Sequence, residues 1–489
     1  MRYPASGPAT VTACSADNFA VKPAALSAIA SHADWQTAGF GITLANTGAT
    51  GGAVHKAGLP FSVRVSGYNA ANVITSNYDG TPTASVACLL PASGCVVGLF
   101  SPGAYTPSAG TLVSNTATYG EVGAISLTFS DTTYASVDSS DTAASCAGFH
   151  VCASAIAVGR FVPDHYDVAN LQSPAFQTFG SACANRSFTY LGQNFGFATL
   201  PRARITAENS AGGTTRNARD SLWKLSPNGH FSSAWRCQKQ GGASCDDVNI
   251  SAAGFSAGNL VANGDGSGDF TWPVNILYPN GVKYQFSRSV PPPSPFNAEI
   301  GLGIRIQDGS EAGGCGLASC VIRDSQTVGT LTWGDVIAFD AGSAFRQGRL
   351  RLANAAGSEL LPLPVPLSAQ YWNGQGWVTN TQDNCTAIAS PPLTFFAQTA
   401  DNQLAAGETV ASFNATLIAG NGNLRFSAPG AGNHGFLDLS VTTPSWLRFD
   451  WDGVDQGGDG DLLDDAPRAR AAFGKRRGRD KVIIRREIY

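Results

Sequence analysis

Three observations predict an all-β fold built of tandem β-sandwich (Ig-like) domains with local disulfides. The chain has 489 residues and is poor in charge, with 13% Asp, Glu, Lys and Arg, against about 25% in an average globular protein. Gly, Ser, Thr, Asn and Ala fill the gap. Short runs of Val, Ile, Phe and Tyr recur about every 8–15 residues between turn signals, the spacing of sandwich strands. Cysteines close in sequence then supply staples for the loops.

The strands are justified one by one by alternation. In "FSVRVSGY" (Phe61–Tyr68) and "GAISLTFSD" (Gly123–Asp131), apolar residues fall at every second position, as a half-buried strand requires. "FGITLANTG" and "TASVACLL" read the same way. Long 3.6-period patterns with caps are absent, and only "NARDSLWKL" suggests a short helix. "CSADNFAVKPAALS" and "AIAVGRFVPDHYDVAN" (Ala155–Asn170) each combine an aromatic, Val and Pro in an extended lead-in, so both read as linker strands. A softer boundary falls near "FDAGSAFRQGRLRL" (Phe339–Leu352). "SVPPPSPF" (Ser289–Phe296) is a stiff polyproline-type loop. The expected organisation is a leader remnant or linker over 1–16, then sandwiches over 17–158, 159–344 and 345–489.

Eleven cysteines bear on the compartment. Cys88 with Cys95, Cys146 with Cys152, Cys237 with Cys245 and Cys315 with Cys320 are close in sequence, and none forms the C-x-x-C of a zinc site. With six histidines in the chain, local disulfides are the expectation, and they imply an oxidising, extracellular or cell-surface location. Cys14, Cys183 and Cys385 are left without an assigned partner. "MRYPASGPATVTACS" carries neither the basic nor the apolar region of a signal peptide, so a longer exported protein starting upstream of Met1 is expected. No apolar run approaches the length of a membrane span, about 18 residues.

Several stretches offer chemistry, and most have a plainer reading. "GFSAG" (Gly254–Gly258) matches the nucleophile-elbow pattern but lacks the strand before it and the helix after it. Ser256 is therefore not expected to be a nucleophile, and His434 is the only histidine downstream of it. His150 and His165 flank the first joint and are read as structural. "NGDGSGDF" (Asn263–Phe270) is expected to be a hairpin turn rather than a Ca²⁺ loop. "YWNGQGW" (Tyr371–Trp377) is read as a core hairpin before a sugar-stacking surface.

The C-terminus is the densest in charge. Seven aspartates lie between Asp450 and Asp465, and nine Lys and Arg between Arg468 and Arg486. Asp450, Asp452, Asp455, Asp459 and Asp461 form a candidate Ca²⁺ site, with hard carboxylate oxygens but no EF-hand register. The competing reading is a loop neutralised by the following arginines. The basic run reads as strand, Gly turn and strand, with Ala471–Gly474 followed by Lys481–Tyr489, so a nucleic-acid partner is not expected. No catalytic residues are assigned and no cofactor is expected beyond that Ca²⁺.

Five stretches together carry a resemblance. "VGRFVPDHYDV" (Val158–Val168), "FTYLGQNFGF" (Phe188–Phe197), the long segment from Phe345 to Thr386, "PSWLRFDWDG" (Pro444–Gly453) and "ARAAFGKRRGRDKVIIRREIY" (Ala469–Tyr489) resemble a C-terminal domain family of MSHA-biogenesis proteins of the MshQ type. The resemblance covers roughly residues 155–489. It implies a non-enzymatic, exported surface protein of a type IV pilus system, acting in pilus biogenesis or adhesion. The partners it implies are pilus or cell-surface proteins and, beyond them, surface glycans. The competing function is a carbohydrate-binding or hydrolytic secreted enzyme.

Overall fold

The computed structural model describes residues 21–33, 42–136, 145–172, 202–239, 258–271, 286–315, 344–455 and 462–474. It also describes the shorter stretches 2–3, 11–12, 175–176, 188–193, 197–199, 320–325 and 337–339. Among these residues the fold is nearly all β, as the alternation predicts. Helical structure is confined to one turn at Pro227–His230 and 3₁₀ turns at Thr133–Ser136, Asp220–Leu222 and Ser445–Leu447. The Asp220–Leu222 turn stands where the sequence suggests a short helix.

The first strands are β1 (Ala25–His32), β2 (His55–Lys56), β3 (Phe61–Tyr68), β4 (Thr83–Leu90), β5 (Thr111–Tyr119), β6 (Gly123–Asp131) and β7 (Ile156–Val162). One sheet orders β1–β3–β5, and the facing sheet orders β4–β6–β7–β2. Alternation places Phe61, Val63 and Val65 of β3 against Ile125, Leu127 and Phe129 of β6, all fully buried. Each such side chain removed from water contributes about 1.5–3 kcal/mol. Cys88–Cys95 closes the turn after β4, and Cys146–Cys152 ties the loop before β7.

The linker Ala155–Asn170 is two strands set back to back. β7 belongs to the first sandwich, and β8 (His165–Gln172) opens the second. Only Pro163 and Asp164 separate them. A third sheet then contains β8, β9 (Arg202–Glu208), β10 (Phe231–Lys239), β11 (Asn259–Ala262), β12 (Ser267–Thr271), the 13-residue β13 (Phe296–Asp308) and β14 (Ile322–Asp324). In space β9 lies between β8 and β12, while β10 and β14 both pair with β13. Its core includes Tyr166, Ile205, Phe270, Ile304 and Ile306, and Val54 and Val122 of the first sandwich complete it. Cys315 and Cys320 are disulfide-bonded here.

The C-terminal portion contains β15 (Ala344–Arg346), β16 (Gly348–Leu352), β17 (Ala355–Gly357), β18 (Leu367–Trp372), β19 (Trp377–Thr379), β20 (Leu393–Phe395), β21 (Gly435–Ser440) and β22 (Arg468–Phe473). One sheet is β16–β18–β19, and another is β17–β22–β21–β20. Leu437, Leu439, Ala469, Ala471 and Phe473 face Leu350, Leu352, Leu367 and Ala369, and Phe188 and Tyr190 from upstream join this core. Both edges of Ala471–Phe473 are occupied, by β21 and β17. The expected closing strand Lys481–Tyr489 lies outside the described residues.

The units are locked to each other by buried polar groups. At the first joint, Arg160 forms an ion pair with Glu311, with side-chain exposures of 0% and 6%. Arg160 Nη1 also donates to Gly48 O at 2.8 Å. Burial pushes the Arg160 guanidinium down and the Glu311 carboxyl up, and their mutual attraction opposes both shifts. Beside them the Glu121 carboxylate accepts from the backbone N–H groups of Val122, Arg216 and Asn217 at 2.8–3.0 Å. Asn217 in turn exchanges two bonds with the backbone of Val96 at 2.9 and 2.8 Å. At the second joint, Arg288 donates to the carbonyls of Ser445, Leu463 and Arg448. Tyr190 Oη donates to Asp383 at 2.9 Å and accepts from Asn380 at 2.8 Å.

Candidate functional site

The outer face of the β17–β22–β21–β20 sheet forms a groove of about 550 Å³. Strand alternation builds it. Leu437 and Leu439 turn into the core, so Asp438 and Ser440 must turn out; Ala469 turns in, so Arg468 and Arg470 turn out. Register then sets rows across the sheet: Thr394, Asp438 and Arg470 lie in line, and Ser440 lies opposite Arg468. Asn354 completes the lining.

Arg470 and Asp438 form a two-pronged pair, with Nε–Oδ1 at 2.7 Å and Nη2–Oδ2 at 3.0 Å. This pairing raises the Arg470 pKa. Its guanidinium lies 4.3 Å from the Phe436 ring centre and 5.5 Å from that of Phe396. Asn354 Oδ1 accepts from the Arg470 backbone N–H at 2.8 Å, leaving the amide NH₂ as a donor. Arg468 is exposed and forms no ion pair with any described residue. Two guanidiniums against one carboxylate leave the groove with a net positive charge. Its chemistry is hydrogen bonding and charge, and no nucleophile stands beside a base in its lining.

A second polar cluster lies on the same C-terminal portion. The segment Tyr371–Trp377 is a hairpin joining β18 and β19, one of the roles its sequence suggests. Gly374 takes the left-handed conformation (φ +99°) that the turn requires. Trp377 and Phe449 flank the guanidinium of Arg349, at 4.3 and 4.9 Å, and Trp451 stands 5.1 Å away. Arg349 Nε donates to Gln370 at 3.0 Å. These ring faces hold a buried cation, which makes them structural.

Trp451 sits inside the acidic turn. The structure brings Asp450 and Asp452 together with Asp465, their nearest oxygens within 4.8 Å of one another. Asp455 is outside this trio, and Asp459 and Asp461 lie outside the described residues. The donor set is oxygen only, which suits Ca²⁺. Each member already accepts a backbone N–H, however: Gly453 to Asp450 at 2.6 Å, Val454 to Asp452 at 2.9 Å and Trp451 to Asp465 at 2.9 Å. Arg470 meets Asp438, not this acidic turn.

The remaining sequence candidates are placed as follows. Asn263–Phe270 forms the β11–β12 hairpin, with Asp265 accepting from Ser267 and Asp269 pairing with Arg204 at 2.9 Å. That pairing lowers the Asp269 pKa. His165 lies between Asp164 and Glu208, at 3.0 and 3.1 Å. The His150 carbonyl accepts from Lys22. Ser256, Cys14, Cys183, Cys245 and the Cys237 side chain fall outside the described residues, and Cys385 is disulfide-bonded. Sequence reasoning missed Glu121, Arg160, Asn217, Arg288 and Glu311. One signal was available: the turn "NAAN" after β3 recurs as "NSAGG" after β9, with Asn69 and Asn209 each accepting two backbone N–H groups.

Two models of one family match the chain: DUF6701, third domain, over residues 121–329, and DUF6701, fourth domain, over residues 346–488. No curated protein sequence matches. Among solved structures, the Escherichia coli adhesin FdeC aligns at 10% identity over 93% of this chain and 99% of its own, with a TM-score of 0.27. An I-band fragment of titin aligns at 7% identity over 87% and 95%, with a TM-score of 0.22. Invasin, a bacterial integrin-binding protein, aligns at 8% identity over 92% and 60%, with a TM-score of 0.20. At these scores the likenesses carry no argument about ligand or partner. The two family models span more than two-thirds of the sequence, and the chain belongs to the DUF6701 family.

Proposed function

We propose that this is a non-enzymatic protein exported to the cell surface, where it acts in adhesion or in the assembly of a type IV pilus of the MSHA kind. The observation that carries the reading is the construction of the joints. Arg160–Glu311, the three-way acceptor Glu121 and the carbonyl-binding Arg288 fix each unit to the next. Enzymes that close over a substrate place such interfaces where they can open; a protein that presents a surface under shear benefits from the opposite. Loops closed by Cys88–Cys95, Cys146–Cys152 and Cys315–Cys320 support an oxidising destination. No helix among the described residues is long and apolar enough to cross a membrane. The pilus association rests on the sequence resemblance to the MshQ type.

The test is an in-frame deletion in the native host with immunogold labelling of the tagged protein. The expected result is label at the cell surface, with fewer assembled pili or weaker attachment in the deletion strain. Label confined to the cytoplasm, or unchanged piliation and attachment, rejects the reading.

A further inference from the structure

We propose that the groove on the β17–β22–β21–β20 face binds an acidic saccharide residue, with Arg468 holding its carboxylate. The inference is independent of where the protein is displayed. Arg470 is already held, by Asp438 on one side and by the rings of Phe436 and Phe396 on the other. Arg468, one row away on the same face, is exposed and forms no ion pair with any described residue. A guanidinium matches a carboxylate through two parallel hydrogen bonds.

The groups around Arg468 suit hydroxyls better than further charge. Ser440 and Thr394 each donate and accept, the Asn354 NH₂ donates, and the Asp438 oxygens keep lone pairs for a ligand O–H. Phe396, 38% exposed, packs against Arg470 next to the groove and helps keep that guanidinium in place. The volume of about 550 Å³ lies within the roughly 300–1,000 Å³ of small-molecule sites. Thr394, Asp438, Ser440, Arg468 and Arg470 project from paired strands, so the spacing of their backbone positions is set before the ligand arrives. Ligand charge separates the possibilities: the net positive lining favours an acidic sugar over a neutral one, and the neutral donors and acceptors of Ser440, Thr394 and Asn354 favour a sugar over a simple anion or an acidic peptide.

The experiment is calorimetric titration of the full chain with tri-galacturonate, galactotriose, inorganic sulfate and a glutamate-rich peptide. Tri-galacturonate is expected to bind at least tenfold more tightly than the other three, since hydrogen bonds to charged groups discriminate at about that level. Arg468→Gln is expected to cut that affinity at least tenfold and Ser440→Ala to cut it less, both with unchanged melting curves. Arg351→Gln, on a different sheet, is expected to leave binding unchanged. No binding by the unmodified chain, equal binding of galactotriose, sulfate or the peptide, or undiminished binding by Arg468→Gln overturns the proposal.

Discussion

Glu311→Gln and Arg160→Met remove opposite halves of one buried ion pair, and the structure predicts unequal costs. Arg160 is fully buried and Glu311 nearly so. Taking one partner from such a pair costs about 3–5 kcal/mol, because the other charge is left without compensation. Glu311→Gln strands a guanidinium that cannot lose its proton, so the full figure applies. At roughly 2–4 °C per kcal/mol for a unit of 150–250 residues, the first transition should fall by about 10 °C. Arg160→Met strands a carboxyl that burial already pushes upward; without Arg160 nothing there pulls it back except Lys224. Its folded pKa is therefore raised above the unfolded value. The stability it contributes is fully present below the ordinary glutamate value, near 4.3, and is lost as pH rises through the elevated one. Arg160→Met should thus cost less than Glu311→Gln at pH 5 and approach it at pH 8. The double variant Arg160→Met with Glu311→Leu should recover most of the loss, as apolar replacements of buried pairs do. Urea unfolding of all three at both pH values measures this. Equal losses at every pH, or a loss below 1 kcal/mol for Glu311→Gln, would refute the view that this pair holds the joint.

Three further outcomes follow from named contacts. Replacing Cys88 and Cys95 together by Ser removes the cross-link of a short loop, worth about 2–3 kcal/mol by chain entropy. The same change frees the segment that Asn217 and Arg219 grip, and denaturation with and without reductant reads both effects. Tyr190→Phe leaves Asp383 and Asn380 short of a partner in a buried site, so chemical denaturation should show a loss of about 1–3 kcal/mol. Melting curves in millimolar Ca²⁺ and in EDTA should coincide, because backbone N–H groups donated to Asp450, Asp452 and Asp465 hold this turn together without a cation; a stabilisation of several degrees by Ca²⁺ would establish the metal reading of this turn.

The fold was legible wherever one physical rule decides locally. Alternation in β3 and β6 predicts their buried faces because the strand period is two, and Asn-Gly and Asp-Gly mark the Asn263–Phe270 and Tyr371–Trp377 hairpins because those turns need φ > 0. The joints were not legible. Glu121 and Arg160 look like ordinary polar residues in the chain, and only the packing of one sandwich on the next makes them buried and paired. The acidic stretch was legible only in part. Density along the sequence suggested that its aspartates share a cation or face the arginines that follow, but not which of them come together. In three dimensions Asp465 comes back beside Asp450 and Asp452 through the Phe449–Asp465 backbone pair, while Arg470 finds Asp438 across two strands.

The groove shows the same limit from the functional side. Asn354, Thr394, Asp438, Ser440, Arg468 and Arg470 are scattered over more than a hundred positions, and no motif joins them. What joins them is register: once Leu439 and Ala469 face the core as a pair, Ser440 and Arg468 must stand together outside. Charge is scarce in this chain, and several of its buried charges are tied into joints or cages, as at Arg160, Glu311, Glu121 and Arg349. A sheet face that needed only to be wetted could be covered with Ser and Thr, as much of the surface is. Three ionised groups on one face, one of them without an ion pair, are more than solvation requires. Placing that unpaired guanidinium on a strand paired with β21, rather than on a loop, removes the backbone share of the entropy cost of binding through it. That economy is why the outer face of β21 and β22, and not the acidic turn or the aromatic hairpin, is where recognition by this protein should be sought.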